Sequence, residues 1–513
     1  MTTRGPRAVD KIVSIEQLAA EVTRLRTEGR TVVMAHGVFD LLHIGHIRHF
    51  EAARAMGDAL VVTITPDKFV NKGPHRPAFP AMLRAEAIAA LDSVAFVAIN
   101  RSQTAVDPIR RVRPNVYVKG ADYRDAADDV TGGIRLERDA IEAVGGELRF
   151  TDDITFSSTT LVNRHLPLFP PNVMEFLASF NSHHSAAEVV GYLERARGLR
   201  VLVVGETIID EYQYCEAIGK SSKEPMLAVR HVSLERFAGG ILAVANNVAG
   251  FCDHVGVITV LGKNDGHVDF IDANLKDNVE QLFLYQEQSP TIVKRRLVEN
   301  YFFSKLIEVY EMDDSPLAQA DDDRLVALLD EQVPKYDMVL VVDFGHGMLS
   351  KRAIGTICSK ARYLAVNTQS NAGNRGFHTV SRYPRADYVS LAVAELQLET
   401  RDLHTDLHEL VQQVAAKLSA DRVSLTRGKE GCICYSATEG MTDVPAFAGS
   451  VVDRMGAGDT FLSITALFAA QGAPNELVGF IGNVVGAEAV ATVGHRESVQ
   501  KASLYKHIES LMK

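Results

Sequence analysis

No stretch of the sequence supplies the roughly 18 uninterrupted apolar residues that a membrane-spanning helix requires. The opening MTTRGPRAVDKIVSIEQLAAEVTRLRTEGR also lacks the apolar centre of a secretory leader. A cytoplasmic protein with no membrane partner is therefore expected. Cysteine is scarce: Cys215, Cys252, Cys358, Cys432 and Cys434 are scattered and lack the paired spacing of a zinc site. They read as reduced, buried thiols, with Cys432 and Cys434 alternating along an apolar run that looks like a strand. Basic residues are not in excess, since 54 Lys and Arg stand against 65 Asp and Glu for a net charge of −11. That balance excludes a general nucleic-acid binder, which needs a basic face, but leaves room for a local pocket that takes a small phosphorylated anion. Extended Ser, Gln or Pro tracts and short-period repeats are missing, so neither disorder nor a solenoid is indicated. Neither a GxxxxGK(S/T) loop nor a GxGxxG turn occurs, which removes two familiar glycine-rich nucleotide cradles.

What is present is alternation. At 513 residues the chain is too long for one core and, at roughly 100 to 200 residues per domain, should hold two to four. Ile15, Leu18, Val22 and Leu25 recur at helical spacing, and TVVMAHGVF follows as a β-rich run entering a glycine turn. DALVVTIT, SVAFVAI and NVYVKG read as further strands, separated by the helical PAMLRAEAIAALD and DPIRRV. Such alternation implies parallel βαβ units wound on both faces of a sheet. This unit ends near Arg164. A proline-rich stretch with a helical pattern, 166–198, is the expected linker. From LRVLVVGETIID a second α/β run begins, with strands at LAVRHV, HVGVITVLG, YDMVLVVDF, YLAVNT, DYVSL, DRVSLTRG and GCICYS, read as one larger sheet that continues through 199–513.

Two stretches carry phosphate chemistry. In HGVFDLLHIGH, Gly37 closes a turn after a buried strand, and His43 and His46 lie three apart where a helix begins. Both imidazoles can face one spot above its N-terminus, where backbone N–H groups and the helix dipole also favour an anion. Nucleotidyl transfer needs such help with charge around the α-phosphorus; a structural or zinc-binding pair is the alternative. In DRMGAGDTF, Gly456, Ala457 and Gly458 precede a helical pattern, so their N–H groups can converge as an anion nest. Asp459 at that mouth suits a base that takes a proton from an acceptor hydroxyl, or else a helix cap.

The surrounding motifs extend both readings. GVFDLLHIGH, NKGPHRP, MLRAEAIAAL, VRPNVYVKGADY and FSSTTLV together resemble the cytidylyltransferase-like nucleotidyltransferases over residues 30–165. The resemblance implies that His43 and His46 bind the triphosphate, that Lys72, Arg84 and Lys119 flank it, and that Ser158, Thr159 and Thr160 hold phosphates and nucleotide. Gly37 and Phe39 join that nucleotide-binding set. RVLVVGETIIDEY, AGGILAVANNVA, PTIVKRR, VLVVDFGHG, SLTRGKEG and GAGDTF resemble the ribokinase-like sugar kinases over 200–513. There the resemblance implies Asp459 as base, Gly456, Ala457 and Gly458 as anion hole, and Thr426 and Gly428 beside the nucleotide. Asp210, Gly239, Gly240, Asn247 and Lys294 are implied at the sugar. The expected fold is α/β, with a Rossmann-like nucleotidyltransferase domain at 1–165 and a ribokinase-like kinase at 199–513, both doubly wound.

A fusion of these two parts resembles the bifunctional heptose 7-phosphate kinase and heptose 1-phosphate adenylyltransferase family, with the domain order reversed. It implies ATP with Mg2+, ATP or CTP at the N-terminal site, a sugar phosphate substrate, and a homo-oligomer, most simply a dimer. Two departures bear on the sugar. Ala243 stands where the family has Asn, and AVNTQSN replaces an Asp-Pro-Lys segment. Other readings are therefore the same chemistry on another sugar or polyol phosphate, or an active transferase joined to a kinase-like domain that only binds a ligand. For a phosphorylated acceptor the candidate cations are Lys220, Lys223, Lys294, Arg295 and Arg296.

Overall fold

A computed structural model of the chain describes residues 7–70, 77–102, 104–120, 133–151, 169–264, 266–287, 289–449 and 451–512. The chain divides into two compact units, Met1–Pro170 with Tyr505–Lys513, and Pro171–Leu504. Among the described residues no helix is long and apolar enough to cross a membrane.

In the first unit the described strands are β1 (Val32–Gly37), β2 (Ala59–Ile64), β3 (Phe96–Ile99), β4 (Val116–Lys119) and β5 (Glu147–Phe150). They form a sheet of order β3-β2-β1-β4-β5, parallel throughout. The period of two along β1 explains why it is central. Val32 and Met34 enter a cluster with Leu18, Val22 and Leu25 of the helix Ile15–Thr27, while Val33 and Ala35 enter another with Phe50 and Ile88. Both faces are covered, so the run is apolar at nearly every position. Ser14 caps the first helix by accepting the Gln17 N–H at 3.1 Å, with Gln17 returning the bond at 2.9 Å.

The second unit begins earlier than the linker expectation. The helices Pro171–His183 and Ala186–Arg195 lie within it rather than outside it. Val173, Leu177 and Phe180 recur at helical spacing and are buried, with Phe180 stacked on Phe480 at 4.3 Å and Tyr192 on Phe468 at 5.3 Å. Proline at the first helical position starts a helix well, so the proline cluster marks a helix start here.

The expectation of one larger sheet also needs correction. The strands β6 (Arg200–Gly205), β7 (Thr207–Lys220), β8 (Leu227–Gly240), β9 (His254–Gly262), β10 (Val279–Gln286), β11 (Ile292–Glu299), β12 (Ser304–Glu311), β13 (Met338–Asp343), β14 (Leu364–Thr368), β15 (Tyr388–Ala392), β16 (Arg422–Thr426), β17 (Cys432–Ser436) and β18 (Gly440–Val444) divide between two sheets. The larger runs β10-β9-β6-β13-β14-β15-β16-β17-β18, and the smaller runs β12-β11-β7-β8. LRVLVVGETIID is thus two strands, because Gly205 at φ 159° and Glu206 redirect the chain from one sheet to the other. The five cysteines are buried free thiols.

Candidate functional site

In the first unit the HGVFDLLHIGH segment folds around a backbone kink. Phe39 adopts φ 48°, uncommon for a residue with a side chain, and its ring folds back over Gly37, where a Cβ would sit 3.0 Å from it. Gly37 therefore makes room for Phe39. The Phe39 ring meets His46 edge-on at 5.2 Å and Phe50 at 5.0 Å, so it is a buried post behind the histidine. His43 is the N-cap of the helix Ile44–Arg54, and its Nδ1 accepts the Gly45 N–H at 3.1 Å. That bond places the proton of the neutral ring on Nε2. His43 and His46 stack at 3.9 Å, and partial burial lowers the His43 pKa. His43 is thus held as a neutral donor at a helix N-terminus, with His46 stacked against it.

The basic residues are arranged differently from the expectation. Arg84, on the helix Ala81–Ala89, is buried and donates to the carbonyls of Phe79 at 2.9 Å, Thr65 at 3.0 Å and Val38, and to Asp67 Oδ1 at 2.6 Å. Its guanidinium joins three loops and positions the histidine turn instead of presenting its fork to a phosphate. Arg84→Met is accordingly expected to destabilise this unit by on the order of 3 kcal/mol, since several charge-assisted bonds vanish and buried carbonyls lose their donors. Thermal unfolding checks this: an unchanged Tm with weakened nucleotide affinity would restore the direct phosphate role. Lys119, at the end of β4, pairs with Glu137 Oε2 at 2.9 Å. His36, which the sequence reading passed over, bridges Thr63 at 2.9 Å and Thr65 at 3.3 Å; burial, then the Lys119 charge, pull its pKa to about 3. Lys72, Ser158, Thr159 and Thr160 lie outside the described residues.

In the second unit a cavity of about 260 Å³ lies between the small sheet and the ends of β14, β15 and β16 of the large one. Asp210, Lys294 and Arg296 reach it from the small sheet, Thr426 from the end of β16, and Gly456, Gly458 and Asp459 from the start of the helix Ala457–Ala470. Gly456 stands at φ 77° as N-cap of the helix Ala457–Ala470, whose first residue is Ala457. A Cβ there would run into the His495 ring, so glycine is required both by the turn and by its neighbour. Asp459 sits inside the first helical turn and is not the cap. Its Oδ1 accepts from Gln369 Nε2, and its Oδ2 is 4.0 Å from His495 Nε2. Burial, then the charge of Asp210, push its carboxyl up to about 7.

Gly239 and Gly240 end β8, where a Cβ on Gly239 would run into the Asp210 carboxylate. Asp210 pairs with Arg296, which also reaches Glu308 at 2.5 Å. Arg295 faces the opposite way onto Glu211 at 2.7 Å, and Lys220 and Lys223 are exposed on the β7–β8 hairpin. Lys294 alone of the five cations points into the cavity without an ion pair among the described residues. Its ammonium lies 5.1 Å over Tyr310 and 5.7 Å over Phe344, and burial lowers its pKa. Asn247 departs from its expected place at the sugar: its Oδ1 accepts the Val499 N–H at 2.9 Å and its Nδ2 donates to Thr460 Oγ1 at 3.4 Å, so it braces the glycine-turn helix. Gly428, at φ 58°, opens the turn after β16 and does not line the cavity.

Sequence reasoning missed Gln369, Glu395, Phe344 and His495 in this wall. The GETIID and VVDFGHG motifs did hold a signal: Glu206 accepts the N–H groups of Phe344 and His346, each at 3.0 Å, and so shapes the turn that carries Phe344.

Two family profiles match the chain. The cytidylyltransferase-like profile matches residues 34–165, and the pfkB family carbohydrate kinase profile matches 199–502. The bifunctional protein HldE of Methylobacillus flagellatus is 38% identical over 159 residues, 31% of each chain, and that of Bradyrhizobium sp. is 41% identical over 161 residues, again 31% of each. These matches fall on the N-terminal part. The chain thus spans about a third of the length of the curated relatives it matches. Escherichia coli phosphofructokinase-2 in complex with potassium superposes with a TM-score of 0.50 over 61% of this chain and 99% of that one, at 17% identity, a likeness of fold. With the kinase profile covering more than half its length, the chain belongs to the pfkB family of carbohydrate kinases and carries a cytidylyltransferase-like domain ahead of the kinase domain.

Proposed function

We propose that the chain makes a nucleotide-activated sugar of the ADP-heptose kind by two reactions. The kinase domain phosphorylates a hydroxyl of a sugar phosphate with ATP, and the N-terminal domain transfers a nucleotidyl group from ATP or CTP onto a sugar 1-phosphate. The observation that carries the first reaction is Asp459. Its carboxylate, next to the glycine turn Gly456–Gly458, faces a cavity whose other wall brings Asp210 and the uncommitted ammonium of Lys294. A base beside an anion nest suits an acceptor hydroxyl attacking the γ-phosphorus in line. The stacked histidines at a helix N-terminus support the second reaction. Mg2+ would enter with the triphosphate rather than in a dedicated protein cage, lending positive charge to its phosphate oxygens.

Two observations favour a different sugar or a ligand-binding kinase domain as the second reading. Ala243, in place of the Asn of the resembling family, is buried on the helix Ile241–Ala249, and Asn367 lines the cavity with its Nδ2 committed to the Ser390 carbonyl at 2.8 Å. The test is incubation of the full chain with heptose 7-phosphate, hexose 6-phosphates, pentose 5-phosphates and the free sugars, each with ATP or CTP, and identification of products by mass. A doubly phosphorylated heptose supports the proposal; no consumption of ATP with any acceptor sinks its kinase half.

A further inference from the structure

Asp453 lies three residues before the glycine turn, and phosphoryl transfer as described above makes no use of it. Its side chain is 1% exposed, yet its two oxygens collect four donors from separate parts of the unit. Oδ1 accepts from Lys305 Nζ at 2.5 Å and from the Met455 N–H at 3.1 Å. Oδ2 accepts from the Tyr212 hydroxyl at 2.7 Å and from the Gly494 N–H at 3.1 Å. Lys305 belongs to β12 and Tyr212 to β7, both in the small sheet, whereas Met455 opens the glycine turn and Gly494 precedes the His495 ring that packs on Gly456.

The register shows what these bonds align. On β7, Tyr212 is two residues from Asp210; on β11, Arg296 pairs with Tyr212 and Lys294 with Asp210; and Lys305 stands opposite Val298. With a period of two, the face that carries Asp210, Lys294 and Arg296 into the cavity is the face that delivers Tyr212 and Lys305 to Asp453. Burial pushes the Asp453 carboxyl up, but the bonds from Lys305 and Tyr212 outweigh it and hold the pKa below its ordinary value. A buried carboxylate keeps two amide donors if the small sheet shifts and loses its cation and its phenol, which is costly. The fully bonded state therefore exists for one placement of the small sheet against the glycine turn.

We infer that Asp453, held by Lys305 and Tyr212, is a positioning residue that registers the acceptor-side sheet against the glycine turn, so that Asp210 and Lys294 face Asp459 across the cavity. The inference rests on the kinase reading for its consequence in catalysis, while the coupling itself can be measured without any acceptor. Lys305→Met in the full chain is expected to speed amide hydrogen exchange in two places at once, β12 and residues 453–459. Kinetically, kcat/KM for the acceptor should fall about 10- to 100-fold, the scale of a lost charge-assisted bond at a buried carboxylate, with the nucleotide KM unchanged. Lys305→Arg, which keeps the cation, should restore both. If Lys305→Met fails to fold, Tyr212→Phe removes one hydroxyl while keeping the ring and should move the same exchange in the same direction. Exchange at 453–459 that stays at the wild-type rate when β12 loosens overturns the inference, as does an equal rise in acceptor and nucleotide KM. A wild-type chain that phosphorylates no acceptor sinks the kinase reading instead, and the exchange measurement still decides the coupling.

Discussion

Asp459→Asn is expected to lower phosphoryl transfer by about 10²-fold or more while nucleotide binding persists, because the amide keeps the shape of the carboxylate but cannot take the acceptor's proton. The wild-type environment also sets a pH signature. With its carboxyl pushed up to about 7 by burial, then by Asp210, and with Gln369 and Lys294 pulling the other way, Asp459 is half ionised near neutrality. A base works only when ionised, so kcat/KM should fall as pH drops through about 7 and level off above it. Burial also pushes Glu395 up to about 7, and its charge acts on Asp459, so the acidic limb belongs to the two carboxyls jointly. Comparing pH profiles of wild type and Asp459→Asn checks this. Sugar phosphorylation at the wild-type rate in the variant would reduce Asp459 to an ordinary residue of the first helical turn.

His46→Ala should remove nucleotidyl transfer by roughly 10²- to 10³-fold, the usual cost of losing one preorganised donor to developing negative charge. Preorganisation is visible in the stack. The Gly45 N–H fixes the His43 tautomer, His43 holds His46 face to face, and Phe39 closes the edge of His46. A donor so restrained loses little entropy when the triphosphate arrives. Phosphoryl transfer in the other unit should be unaffected, which provides the internal control. Nucleotidyl transfer within a few-fold of wild type would sink the role of His46.

Much of both folds was legible because it rests on short-range pattern. VVMAHG is apolar along its length since both faces of β1 are covered, and the helix over Ile15–Thr27 follows from four apolar residues on one stripe. The small sheet was missed for a related reason. β11 alternates Lys294 and Arg296 toward a cavity with Arg295 toward Glu211, so neither face shows the apolar period that marks a strand, and β12 is exposed at every position but Tyr310.

Of the candidate sites, the glycine turn and the paired histidines could be read directly, since a turn at positive φ and a helix start depend on neighbours a few residues away. Gly456, Asp459, His43 and His46 are such cases. The partners of the charged groups lie far away in the chain and emerge only from the packing. Arg84 is committed to carbonyls and Asp67, Asn247 braces a helix 213 residues on, and Lys294 stays uncommitted while Arg295 and Arg296 are paired. Asp453 is the extreme case, with donors 148 and 241 residues away. Backbone geometry and apolar period are local properties, so two α/β units, each with its histidine pair or glycine turn at a helix N-terminus, could be read from the residues alone. Which side chains remain free to meet a ligand was decided only in three dimensions, because a buried donor or charge goes to whatever partner the fold brings within about 3 Å.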